Sequence, residues 1–361
     1  MKKFLRSAEY HIKNTLWKIF GLFASKEVPL APLPLDFSKI SKVLVIRSDR
    51  LGDVVLSTPV YESLKSSFPH LKITAMVNPI QGGILQDNPN LHKIILMRRR
   101  RFWRAIRDSR REKFDLAITL NKKFSATATF FTLCSNAKMI AGYIHPQNPW
   151  KYHIRLPIET PPRHEIENNL ALLEHMGVPE IIHKPRIYFS ARDENRINEI
   201  MNSGKRERPL LLVKTGTRIP EWGWQWKKFQ KVIEHILKNK IADIWLINGP
   251  GEEEGLRSNI AEMQFQPRLL PLVKTKELAL LIQQCDLLFC NHTGIMHLAS
   301  AVEKPACVIF KHGEIERWGP RHPNSIILDD RHQDNLEPET VINTLENFLK
   351  SEQICHEQPK K

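Results

Sequence analysis

The chain has 361 residues, enough for two domains of ordinary size, each with its own core. Hydrophobic residues make up 42% and charged residues 26%, and no apolar run reaches the roughly 18 residues of a spanning helix, which argues for a globular protein. Lys and Arg number 54 against 39 Asp and Glu, a formal charge of +15 that favours an anionic partner: nucleic acid, a phosphorylated substrate or an anionic membrane surface. The five cysteines, Cys134, Cys285, Cys290, Cys307 and Cys355, include no CxxC pair and mostly sit among apolar residues. That pattern argues against a zinc or disulfide framework and for reduced, buried thiols in a cytosolic protein.

In chain order, residues 1–25 stand apart. Leu5, Ile12, Leu16, Ile19, Phe20 and Phe23 recur at helical spacing among Lys2, Lys3, Arg6, Lys13 and Lys18. Lys18 interrupts the apolar stretch, and no small-residue cleavage site follows, so a secretory signal fits poorly. A basic amphipathic helix on a membrane surface fits better, with packing on the protein itself as the alternative. The Pro-rich stretch from Val28 to Pro34 reads as a linker.

From Lys42 onward, apolar strands alternate with amphipathic helices. Strands are expected at 43–46, 73–77, 93–96, 116–120 and 139–142, with helices at 54–67, 102–113, 126–134 and 165–176. Gly177 with Pro179 just beyond it marks a helix stop. A second series follows, with strands at 210–213, 243–247, 287–290 and 306–310 and helices at 227–238, 252–262, 276–285 and 296–302. Continuous apolar strands between helices imply parallel sheets covered on both faces, so the expected fold is α/β, two doubly wound Rossmann-like domains. The expected boundaries are 1–38 (helix and linker), 39–185, 186–327, and 328–361 (C-terminal helix and tail). In such sheets ligands sit outside the carboxyl ends of the strands, here expected in a cleft between the domains.

Two loops carry residue types suited to chemistry. The first, Arg47-Ser48-Asp49-Arg50-Leu51-Gly52-Asp53, follows the first strand. Gly52 permits a tight turn, and Asp53 is placed either as a general base for an acceptor hydroxyl or as a helix cap. Arg47 and Arg50 are available for a phosphate or for solvent. The second loop, Asn291-His292-Thr293-Gly294-Ile295-Met296-His297, joins a strand to a helix whose free N–H groups suit a diphosphate, with Thr293 and His297 adding donors. His292 and His297 alone are a weak case for a metal, and none is expected.

Together these stretches resemble glycosyltransferase family 9, the ADP-heptose:lipopolysaccharide heptosyltransferases. The matching residues include Val43 to Arg47, Leu51 to Val55, Thr58-Pro59, Gly249 with Glu252-Glu253, Thr293-Gly294, Met296 to Ala299, Pro305 and Trp318-Gly319-Pro320, in order over residues 40–325. The resemblance implies a GT-B fold and metal-independent inverting transfer, with no cofactor beyond the nucleotide-sugar substrate. It places the base on Asp53 and acceptor contacts on Arg47, Arg50 and Gly52. Donor contacts fall on Thr293, Gly294, His297, His292, Lys214, Arg218, Glu252 and Glu253. The implied donor is ADP-heptose or another nucleotide sugar, and the implied acceptor an anionic glycolipid, a lipopolysaccharide core or related glycan. The implied place is the cytoplasmic face of the bacterial inner membrane, in peripheral contact with it. His292 departs from the family, which usually has Asp there, and so do Gly223-Trp224-Gln225 and Lys311. A catalytically inactive glycan- or anion-binding protein of the same fold is the alternative function.

The run from Arg98 to Arg104, continued by Arg107, Arg110 and Arg111, is the main argument for nucleic acid. No nucleic-acid module accompanies it, and nucleic acid is not an expected partner. The helical spacing of Arg100, Arg104, Arg107 and Arg111 makes one face, either solvated or directed to anionic glycan or lipid.

Overall fold

The computed structural model describes residues 28–98, 101–145, 152–158, 163–201, 207–332 and 335–357. The amphipathic segment expected at 1–25 lies outside them. The chain divides into two compact units, one ending at Pro185 and the next beginning at Arg186.

In the first unit six parallel strands form a sheet in the order β3-β2-β1-β4-β5-β6. They are β1 (Lys42–Arg47), β2 (Lys72–Val77), β3 (Lys93–Leu96), β4 (Leu116–Thr119), β5 (Met139–Tyr143) and β6 (Ile154–Leu156). The second unit repeats the plan with β7 (Leu210–Lys214), β8 (Asp243–Leu246), β9 (Arg268–Leu269), β10 (Leu287–Asn291), β11 (Ala306–Phe310) and β12 (Ile326–Asp329). Its order is β9-β8-β7-β10-β11-β12. Both sheets therefore have the 3-2-1-4-5-6 order of the Rossmann fold, with switch points between β1 and β4 and between β7 and β10. Val43 to Ile46, Leu210 to Val213 and Leu287 to Cys290 are completely buried, as uninterrupted apolar strands covered on both faces must be.

The helix expected at 54–67 is two helices, α1 (Leu51–Val55) and α2 (Thr58–Ser67). Pro59 has no N–H to give the Val55 carbonyl, and the Thr58 hydroxyl takes that carbonyl at 2.8 Å instead. The longer helices that follow in the first unit are α3 (Phe102–Glu112), α4 (Ala126–Cys134) and α5 (Glu165–His175), besides a single turn at Pro79–Gly82. Gly177, at φ +80°, ends the chain's run after α5 as expected. The second unit carries α6 (Ala191–Met201), α7 (Trp226–Lys238), α8 (Glu253–Ala261), α9 (Thr275–Gln283), α10 (Ile295–Ala301) and α11 (Pro338–Glu357), besides a single turn at Ile315–Trp318. Helix α11 packs on α7 and gives Val341, Leu345 and Leu349 to the core of that unit. No helix among the described residues is long and apolar enough to cross a membrane.

Candidate active site

At the first switch point, β1 ends on Arg47, which is 2% exposed. Its Nη2 donates to Asp53 Oδ1 at 2.7 Å and to Glu165 Oε1 at 2.6 Å. Its Nη1 donates to the Leu120 carbonyl at 2.7 Å and to Asn169 Oδ1 at 2.8 Å. Nε lies 3.1 Å from Asp49 Oδ2, off line for a hydrogen bond. Burial alone would lower the Arg47 pKa. The Glu165, Asp53 and Asp49 carboxylates outweigh it and raise the Arg47 pKa. Asp49 is pushed up by its own burial, with Arg47 pulling it back and Asp53 and Glu165 adding to the rise.

Asp53 sits at the third position of α1, where its Oδ2 accepts the Arg50 N–H at 3.1 Å. The cap and the carboxylate at the sheet's edge are thus one residue: Asp53 closes the first turn of α1 while Arg47 fixes its other oxygen. Arg47 is turned inward and both of its terminal nitrogens are taken up by the protein, whereas Arg50 is exposed at the helix start. Gly52 lies buried inside α1 and is not among the residues with positive φ, so the turn does not need a glycine's freedom there. Asn121, just beyond β4, donates to Asp49 Oδ2 at 2.6 Å and ties the two edges of the switch point together.

At the second switch point, β7 ends on Lys214 and β10 on Asn291. The Lys214 ammonium is paired with Glu252 Oε2, which also accepts the Gly249 N–H at 2.8 Å. Glu252 Oε1 accepts no hydrogen bond from the described residues. Gly216 lies against this pair: a Cβ there would stand 2.4 Å from Glu252 Oε1, so a larger residue would shift the Glu252 and Lys214 side chains. Glu253 points elsewhere, to Arg257 at 2.8 Å. A cavity of about 370 Å³ opens between the loop after β7 and the start of α8, lined by Thr215, Gly216, Trp224, Trp226, Glu252 and Leu256 among others. Arg218 is exposed on the same loop.

Asn291 is fully buried and clamps that loop at both ends. Its Nδ2 donates to the Thr215 carbonyl at 2.6 Å, and its Oδ1 accepts the Trp224 N–H at 2.9 Å. Gly294 caps α10, with Thr293 beside it and His297, 3% exposed, one turn inside. The Thr293 hydroxyl is shielded from water and makes no hydrogen bond among the described residues. The His292 ring stacks on Phe310 at 4.3 Å, and its Nδ1 meets the His312 carbonyl at 2.8 Å. A carbonyl can only accept, so Nδ1 carries a proton and the neutral ring keeps its lone pair on Nε2. Burial lowers the His292 pKa against the opposing effect of that carbonyl. Gly313, at φ +100°, leaves room for the ring, since a Cβ would approach His292 Cε1 to 2.6 Å.

The structure thus brings Arg47, Arg50, Gly52 and Asp53 together in one unit, and Lys214, Glu252, His292, Thr293, Gly294 and His297 at the switch point of the other. Sequence reasoning missed Glu165 and Asn169, and named Asn291 as the start of the second loop without giving it a role. Asn291 could have been noticed as the polar residue closing an apolar strand, whereas nothing local distinguishes Glu165. No group of three or more His, Cys, Asp or Glu residues able to hold a metal ion occurs among the described residues.

Residues 99–346 match the family model described as glycosyltransferase family 9 (heptosyltransferase). A lipopolysaccharide heptosyltransferase 3 of Escherichia coli is 24% identical over 290 residues, which cover 76% of this chain and 85% of that protein. Among solved structures, a family 9 glycosyl transferase of Veillonella parvula superposes with a TM-score of 0.77 at 20% identity, covering 86% of this chain and 98% of that one. The ADP-heptose lps heptosyltransferase II of E. coli gives a TM-score of 0.73 at 18% identity, covering 86% and 99%. Those two likenesses show a shared fold of the GT-B type. The match over residues 99–346 shows more: this chain is a glycosyltransferase and belongs to family 9, the heptosyltransferase family.

Proposed function

We propose that this glycosyltransferase inverts the anomeric centre of a sugar, heptose foremost, moving it from a nucleoside diphosphate to a lipopolysaccharide core or related surface glycan. The observation that carries the reading is the placement of both reactive loops at the switch points of two sheets of the same order. The names of the similar proteins, which specify ADP-heptose and lipopolysaccharide, support the donor and acceptor classes.

In this scheme residues 39–185 bind the acceptor, residues 186–327 bind the donor, and residues 328–361 are a C-terminal helix and tail. Asp53 takes the proton of the acceptor hydroxyl as that oxygen attacks the anomeric carbon. The bond from that carbon to the diphosphate oxygen breaks, and its electrons leave with the nucleoside diphosphate. Arg47 acts through Asp53, holding one carboxylate oxygen still. Arg50 and the backbone at Gly52 face the acceptor. Charge gathering on the diphosphate is met by N–H groups at Gly294, by Thr293 and His297, and by the Lys214 and Arg218 cations. Glu252 Oε1 accepts from a ribose hydroxyl while the nucleoside occupies the cavity between the β7 loop and α8. His292 offers a neutral acceptor, Nε2, to the donor. Glu253 steadies the start of α8 through Arg257. The scheme uses no metal ion or cofactor.

Membrane contact is proposed through the basic segment 1–25, at the cytoplasmic face of the inner membrane. Deleting that segment should move part of the protein from membranes to the soluble fraction; unchanged partitioning would remove it from the scheme.

The deciding experiment combines turnover with nucleotide binding. Asp53→Asn should lower turnover of ADP-heptose by about 10²–10⁴-fold and leave the thermal shift produced by ADP intact. Unchanged turnover would dismiss Asp53 as the base. A screen of ADP, GDP and UDP with no stabilising nucleotide would favour the inactive binding protein instead.

A further inference from the structure

Helix α3 buries one side and leaves the other without a covering element among the described residues. Ala105, Ile106 and Ser109 point inward, and Phe102 packs on the core with them. At 100° per residue the opposite side carries Trp103, Arg104, Arg107 and Arg111. All four are exposed, and the Trp103 indole is 77% exposed. The acids nearby neutralise this face only in part. Asp108 is shared between Arg104 at 3.6 Å and Arg107 at 3.8 Å, and Glu112 is engaged by Lys93 at 2.5 Å and Lys42 at 3.7 Å.

We propose that this outer face of α3 is a docking surface for an anionic lipid bilayer. A merely solvated face carries charges of both signs and avoids large exposed aromatics. This one carries three exposed arginines against the single acid Asp108, around an exposed tryptophan. The indole has an apolar body and one polar N–H, which suits the headgroup boundary of a bilayer. Guanidinium groups form paired hydrogen bonds to phosphate, and basic clusters are drawn to anionic leaflets. Nucleic acid is the poorer fit, because single strands use a groove with successive stacking rings and this convex helix offers one. The inference is independent of the proposed transfer reaction, since lipid binding is read without donor or acceptor.

The test is flotation of the full chain with vesicles of phosphatidylglycerol mixed into phosphatidylcholine, and with phosphatidylcholine alone, at 0.1 M salt. Wild type should float with the anionic vesicles only, and less as salt rises. Arg104→Glu/Arg107→Glu/Arg111→Glu should weaken apparent binding at least ~10-fold, and Trp103→Ala several-fold. A charge-matched control on the second unit, Lys227→Glu/Lys231→Glu/Lys238→Glu, should stay within about twofold of wild type. Thermal unfolding confirms that each variant is folded; if the α3 triple variant unfolds early, the single Arg107→Gln and Trp103→Ala carry the comparison. The proposal is overturned by anionic-vesicle binding that is unaffected by the α3 changes. It is equally overturned by equal losses in the control, which would mean net charge alone, or by α3-dependent binding of a single-stranded RNA with none to vesicles.

Discussion

Arg47 and Glu165, 118 residues apart in the chain, form a buried ion pair at 2.6 Å, and the same Arg47 nitrogen holds Asp53. Three carboxylates thus lean on one cation in a site where only Asp49 and Asp53 retain appreciable contact with water. Removing the cation strands buried negative charge. Arg47→Met should destabilise the fold by about 3–5 kcal/mol, read as a lower urea midpoint. Adding Glu165→Gln to that variant should recover part of the loss, because it removes a carboxylate that no longer has a partner. A wild-type midpoint for Arg47→Met would refute the arrangement.

Asn291 should matter to donor affinity more than to the chemical step. Its two hydrogen bonds, one buried and one partly buried, hold both ends of the loop that lines the cavity. Asn291→Ala should cost about 2–3 kcal/mol and raise the donor KM more than it lowers kcat. Asn291→Asp should be worse than its size suggests, since a carboxylate oxygen would face the Thr215 carbonyl. Steady-state kinetics with donor varied separates the two effects; equal loss in kcat with no change in KM would count against the clamp.

Acid should weaken the fold through its buried imidazoles. Burial lowers the pKa of His292, and of His145 and His153 likewise. In each case the unfolded chain takes up a proton before the folded chain does. Their contribution is complete above the unfolded value of about 6.5 and is lost as pH falls from there through the lower folded values. Thermal midpoints should therefore drop between pH 7.5 and 5, and His292→Asn should lose less over that interval than wild type. An identical decline in the variant would show that His292 does not contribute.

The thiols of the second core should be inert in the native protein. Burial pushes the Cys307 thiol up to about 12, and Cys290 beside it is raised as well, by burial first and then by Cys307. Thiolate is the reactive form, so a neutral aromatic disulfide reagent should leave both unmodified at pH 8 and titrate them only after denaturation. Rapid native labelling of either would mean that the core of this unit opens easily.

Apolar runs made the central strands legible, because a strand covered on both faces has few positions for a polar side chain. Edge strands were harder. β12 alternates between half-buried and exposed residues, β9 has two residues, and β6 has three, so none shows the continuous pattern. Helix α6 was missed for a similar reason: of its residues only Ile197 is buried, which leaves little apolar periodicity to read.

The sequence by itself determined the alternation of strands and helices, the two loops at the switch points and their order, and hence the family. Those are properties of short segments, and each is written within a few residues. Tertiary structure decided what the loop residues do. Arg47 reads as an exposed phosphate ligand until β4 and α5 close over it and supply Leu120, Asn169 and Glu165. Glu252 and Glu253 are adjacent in the chain, yet one pairs with Lys214 beside the cavity and the other with Arg257 on the surface. His292 becomes a held, neutral ring only because Phe310 and the His312 carbonyl stand against it. Charge state and orientation depend on partners brought from distant segments, and a linear pattern does not contain those partners.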